Sequence, residues 1–129
     1  MRVLFDTHAF LWAHSEPERL GPHRELLERP DTERLVSAVV GWELTIKYQL
    51  GRLTLPVPPQ EWVPDRIRRG AMTELDVVMQ HVLGVADLPE HHRDPFDRLL
   101  ISQARYLGTP LLTADRSFDA YDVELLRIT

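Results

Sequence analysis

Carboxylates are the side chains of this sequence best placed to do chemistry. Asp6 follows the apolar run Val3-Leu4-Phe5, and Asp115 follows Pro110-Leu111-Leu112-Thr113-Ala114. Asp94 and Asp97 stand three residues apart in "RDPFDRLLI", where a polar loop turns into an apolar run. Short apolar runs ended by a polar residue have the pattern of strands buried in a parallel sheet. Ligands of open α/β sheets collect outside the carboxyl ends of such strands, so Asp6 and Asp115 are predicted on one rim. Aspartate is also a good N-cap for the helix or turn that follows a strand. At these two positions both readings stay open.

Helical geometry separates the other pair. At about 100° per residue, Phe96, Leu99, Leu100, Gln103, Ala104 and Leu107 share one side of a helix starting at Pro95, while Arg98, Ser102 and Arg105 lie away from it. Asp94 precedes a proline at the first helical position and is explained as an N-cap. Asp97 falls between Ala104 and Ile101, inside the apolar sector. A carboxylate turned inward costs several kcal/mol unless it is paired or meets a cation, which favours a functional reading for Asp97.

Glu43 lies at the edge of the stripe formed by Ala38, Val39, Trp42, Ile46 and Leu50, between Leu50 and Lys47. Its spacing from Lys47 suits an exposed i,i+4 pair worth only about 0.2 to 0.5 kcal/mol, and from the residues alone that pairing is the favoured account.

Convergence of Asp6, Asp97 and Asp115 would require a cation, because three like charges at close range cannot all stay ionised. Oxygen ligands select hard ions such as Mg²⁺ or Mn²⁺, often completed by substrate phosphate. Ions in such sites activate water and stabilise a leaving oxygen, which is the chemistry of phosphodiester hydrolysis. The six histidines, His8, His14, His23, His81, His91 and His92, have no metal-ligand spacing. No glycine-rich phosphate loop and no Ser-His-Asp set is present. Asp65-Arg66-Ile67-Arg68-Arg69 reads as a solvated helix face, and Trp12, Trp42 and Trp62 read as core or interface anchors.

The elements that must position these groups alternate. Strands are predicted at Val3–Phe5, Leu35-Val36, Met72–Leu75, Pro110–Thr113 and Leu125–Ile128. Helices are predicted around Ala9–Trp12, through Arg24–Leu27, over Ala38–Leu50 up to Gly51, within Gln60–Arg69 with a candidate break at Pro64, over Val77–Val85, and from Pro95 to about Leu107. This order implies an α/β fold, a parallel sheet with helices on both faces, and one domain over residues 1–129. The chain has 129 residues, 43% hydrophobic and 27% charged, as an ordinary globular protein does. Its net charge of -5 argues against a protein that coats nucleic acid electrostatically. Cysteine is absent, which excludes disulfides and thiolate metal sites and is compatible with a reducing cytosol. No apolar run approaches a membrane span, and the N-terminal run is too short for a secretory signal.

Leu4-Phe5-Asp6-Thr7, the run "SAVVGWE" from Ser37 to Glu43, "RDPFDRLLISQA" and Thr113-Ala114-Asp115-Arg116 together resemble the PIN-domain ribonucleases, specifically VapC-type toxins of bacterial toxin-antitoxin pairs. The resemblance spans nearly the whole chain, in order. It implies a three-layer α/β/α fold and an Mg²⁺- or Mn²⁺-dependent endoribonuclease acting on RNA. It carries metal-binding and catalytic roles onto Asp6, Glu43, Asp97 and Asp115, reversing the residue-only account of Glu43. Ser37 and Thr113 would orient these carboxylates, and Asp94 would support them from outside. The resemblance also implies a small antitoxin partner, a homodimer and a cytoplasmic location. The alternatives are an Mg²⁺-dependent phosphohydrolase and a catalytically silent PIN-fold interaction module.

Overall fold

A computed structural model describes residues 1–91 and 94–128; His92 of the predicted polar loop, and Arg93, lie outside the described residues. Five strands form one sheet: β1 (Arg2–Phe5), β2 (Glu33–Ser37), β3 (Thr73–Leu75), β4 (Leu111–Thr113) and β5 (Leu125–Arg127). Their order is β3-β2-β1-β4-β5, and every pairing is parallel. Helices flank the sheet: α1 (Thr7–Ser15), α2 (Arg24–Leu27), α3 (Ala38–Gln49), α4 (Pro59–Arg69), α5 (Met79–Gly84) and α6 (Pro95–Leu107). The central strands are apolar because both faces are covered: Val3, Leu4, Phe5, Leu111 and Leu112 are fully buried. Burial of each such side chain stabilises the fold by about 1.5 to 3 kcal/mol.

Local sequence sets most helix limits. Ser37 caps α3 by accepting a hydrogen bond from Val39 N–H at 3.1 Å. Asp94 caps α6, its Oδ1 accepting from the N–H groups of Phe96 at 2.9 Å and Asp97 at 3.3 Å, with Pro95 at the first helical position. Gly108 ends α6 in the left-handed conformation, at φ 63° and ψ 38°.

Two expectations are corrected, and a third is narrowed. Pro64 does not break α4, which runs unbroken to Arg69. Pro64 lies on the exposed face, where water can satisfy the carbonyl that its missing N–H leaves, while Trp62, Val63 and Ile67 pack against the core. Ser102 lies on a buried face of α6, because α5 covers it there and the carbonyl of His81 accepts its hydroxyl. Trp42, expected as a core or interface anchor, is not in the core: it is 55% exposed and meets Phe96 edge-on at 4.8 Å, which leaves the interface alternative. Of the Asp65 to Arg69 cluster, Arg68 and Arg69 are exposed on α4, and Asp65 pairs with Arg66, Arg68 and Arg69. Among the described residues no helix is long and apolar enough to cross a membrane.

Candidate functional site

The strand order turns back at β1 and β4, which are direct neighbours, so their carboxyl ends open on the crevice where doubly wound sheets bind ligands. A hydrogen bond of 3.1 Å from Asp6 N–H to Leu112 C=O ties the two ends together. A crevice of about 390 Å³ lies there, lined by Asp6, Glu43, Asp94, Asp97 and Asp115 together with Thr7, His8, Trp12, Lys47 and Ala114. Carboxylates from five places in the chain thus share one space.

Hydrogen bonds from backbone or neighbouring side chains hold Asp6, Glu43, Asp94 and Asp115. Asp6 caps α1, its Oδ1 accepting from Ala9 N–H at 2.8 Å. Asp115 likewise caps the short 3-10 turn Arg116–Ala120 through the N–H and hydroxyl of Ser117, at 2.9 and 2.7 Å. At Asp6, Asp94 and Asp115, therefore, capping and membership of the crevice are not alternatives. A cap anchors one carboxylate oxygen to a rigid helix start and so fixes where the group points.

Burial sets the electrostatics. Asp6 is only 5% exposed, and desolvation raises its pKa against the opposing hydrogen bonds from the Thr113 hydroxyl and Ala9 N–H. Thr113 Oγ1 also accepts from Asp115 N–H at 3.0 Å, so one fully buried threonine links the two strand-end aspartates. Asp97 is half-buried, and desolvation, followed by the charges of Asp94, Glu43, Asp115 and Asp6, pushes its carboxyl up to about 8. Like charges gathered in a poorly solvated space favour the protonated form.

Glu43 is 3% exposed, so its pairing with Lys47 is not the surface pair suggested by spacing alone. Ser37, also buried, is seen as the cap of α3, the helix that carries Glu43 into the crevice. Sequence reasoning did not single out Thr7, His8 or Lys47 as members of the site. Their signal was proximity: Thr7 and His8 follow Asp6, and Lys47 lies one helical turn after Glu43. Among the described residues no three histidine or acidic side chains stand together in an arrangement that could hold a metal ion.

A family model for the PIN domain matches residues 3–124. The chain is a PIN-domain protein. Ribonuclease VapC22 of Mycobacterium tuberculosis (strain ATCC 25618 / H37Rv) is 30% identical to this PIN domain over 118 residues, covering 88% of this chain and 87% of that protein. Ribonuclease VapC16 of the same organism is 45% identical over 47 residues, a match covering 36% of this chain and 33% of that relative. The fold resembles VapBC2 from Rickettsia felis, solved bound to a DNA fragment from their promoter, with a TM-score of 0.76 at 18% identity over all of both chains. It also resembles VapBC-1 from nontypeable Haemophilus influenzae, with a TM-score of 0.67 at 15% identity over 98% of each chain. For FitAcB from Neisseria gonorrhoeae the TM-score is 0.64 at 19% identity, over 97% of this chain and 96% of that one. This PIN domain is thus related to VapC-type toxins.

Proposed function

We propose that this PIN domain is a divalent-metal-dependent endoribonuclease, the toxin of a toxin-antitoxin pair. The observation that carries this reading is the crowding of Asp6, Glu43, Asp94, Asp97 and Asp115 around one crevice, with Asp97 pushed up to about 8 by burial and then by the charges of its neighbours. Carboxylates held together at such cost call for positive charge, and an all-oxygen donor set fits Mg²⁺ or Mn²⁺. Asp6, Asp97 and Asp115 are the residues that would hold the ion, and Glu43, engaged by Thr7 and Lys47, lines the same crevice. A divalent cation supplies charge stabilisation at the phosphate and an acidified water.

The chain's own residues do the rest. Thr113 steadies Asp6 and the turn of Asp115, Thr7 steadies Glu43, and the caps on α1 and α6 fix Asp6 and Asp94. An acidic protein repels an RNA strand at long range, so productive approach is confined to the place where a cation reverses the local sign.

The decisive assay incubates the purified protein with mixed RNA in Mn²⁺ or Mg²⁺, with EDTA as control, beside Asp6→Asn. Cleavage that needs the metal and disappears with Asp6→Asn is expected. Metal-independent cleavage, or an active Asp6→Asn variant, would overturn the reading. The rival reading, a PIN fold kept as an interaction module, has one observation in its favour: among the described residues no acidic trio is arranged to hold an ion. Folded protein inactive on RNA at every Mn²⁺ concentration would favour it.

We infer further a small antitoxin partner, supported by the likeness to VapBC complexes, and a cytoplasmic setting where RNA is available. A homodimer is part of the same reading. The exposed apolar residues Val78, Met79, Val82 and Leu83 around α5 are its candidate contacts, and light scattering tests the mass.

A further inference from the structure

Both oxygens of Glu43 are engaged. Oε1 accepts the Thr7 hydroxyl at 2.7 Å and Oε2 accepts Lys47 Nζ at 2.5 Å. The glutamate side chain is 4% exposed and that of Lys47 39%, so the pair joins a buried carboxylate to an ammonium at the mouth of the crevice. Among the described residues lining the crevice, Lys47 is the only lysine or arginine. A carboxylate withdrawn from water needs such partners, since removal of one leaves a charge that is neither solvated nor paired.

We propose that Lys47 is a resident counter-ion of the crevice: it holds Glu43 and occupies the place of a second divalent cation, so that the site takes one such ion. The proposal rests on the nuclease reading above and refines it. A cation seeking Glu43 would have to break a charge-assisted hydrogen bond and then lie beside a fixed positive charge. Asp6, Asp97 and Asp115 line the same crevice and belong to neither Glu43 bond. An ammonium has three donors, so the bond to Glu43 leaves two for the phosphate oxygens of a bound strand. Lys47 would therefore act twice, positioning Glu43 and drawing in the substrate.

The test is calorimetric titration of metal-stripped full-length protein with Mn²⁺, for wild type, Lys47→Met, Lys47→Arg and the double variant Lys47→Met/Glu43→Gln. Wild type and Lys47→Arg are expected to bind one Mn²⁺ per chain. Lys47→Met is expected to take up a second ion or to bind the first on the order of tenfold tighter, as loss of a nearby positive charge dictates. Its KM for RNA should rise even at saturating Mn²⁺. The double variant, which leaves no unpaired charge and keeps the proposal testable if Lys47→Met fails to fold, should again bind one Mn²⁺ with wild-type affinity. Two ions on the wild type, unchanged binding by Lys47→Met, or loss of Mn²⁺ by the double variant would overturn the proposal while leaving the nuclease reading intact. A wild type that binds no Mn²⁺ would overturn both.

Discussion

The Thr7 hydroxyl donates to Glu43 Oε1 at 2.7 Å, a bond between residues 36 positions apart that pins the start of α1 to the middle of α3. Both partners are buried, at 5% and 3% exposure, so the bond lies where water cannot replace it. Thr7→Val keeps the shape and removes the donor. It is expected to lower stability by about 1.5 to 3 kcal/mol, the range for a hydrogen bond to a charged group, read by urea denaturation. Thr7→Ser should recover most of the loss. Full stability in Thr7→Val would show that the bond contributes nothing.

Asp94 and Asp97 should respond differently to substitution. Asp94→Ala removes the cap of α6 and is expected to cost about 0.5 to 2 kcal/mol in a thermal melt, with cleavage reduced but measurable. Asp97→Asn should abolish cleavage while leaving the metal-free fold at neutral pH at least as stable as wild type, since the cost of holding that carboxyl protonated in the folded chain is gone. Equal loss of activity in two stably folded variants would contradict this division of roles.

Asp97 contributes to the pH dependence of stability, and Asp6, whose pKa burial also raises, acts in the same direction. The folded pKa of Asp97, about 8, lies above the ordinary 3.8, so between these values the folded chain holds a proton that the unfolded chain has released. Stability of the metal-free protein should therefore fall as pH rises from about 4 to about 8. His14 and His81, whose pKa values burial lowers, give the opposite slope near and below their ordinary 6.5. The difference between wild type and Asp97→Asn isolates the aspartate, and denaturation at several pH values in EDTA measures it. A difference that stays constant across this range would refute the assignment.

Ser37 separates positioning of a helix from positioning of a charge. Ser37→Ala removes the N-cap of α3 at a cost of about 1 kcal/mol. Cleavage per folded molecule should stay near wild type, because the bond seen for Ser37 among the described residues is the cap itself, from Val39 N–H. A large drop in kcat with the fold intact would give Ser37 a part in orienting Glu43.

Much of the molecule is local and so was legible in the sequence. The apolar runs Val3–Phe5 and Leu111–Leu112 announce buried parallel strands, because a strand covered on both faces has no polar side to show. Asp94-Pro95 and Gly108 mark the limits of α6, because cap and left-handed turn depend on a few neighbouring residues. Asp97 turned inward was legible from helical period alone, though it faces a charged crevice rather than apolar side chains.

What the sequence by itself determined, then, was which segments become strands and helices and which aspartates stand at their ends. The tertiary structure decided which of those ends meet. Adjacency of β1 and β4 brings Asp6 and Asp115 together across more than a hundred residues, and α3 carries Glu43 and Lys47 in beside them. No local pattern encodes that adjacency, because it is a pairing of two segments more than a hundred residues apart. For the same reason Glu43 stands at the edge of the apolar stripe in the helical period and is buried in the fold: Thr7, which meets it, stands at the start of α1, 36 positions earlier in the chain.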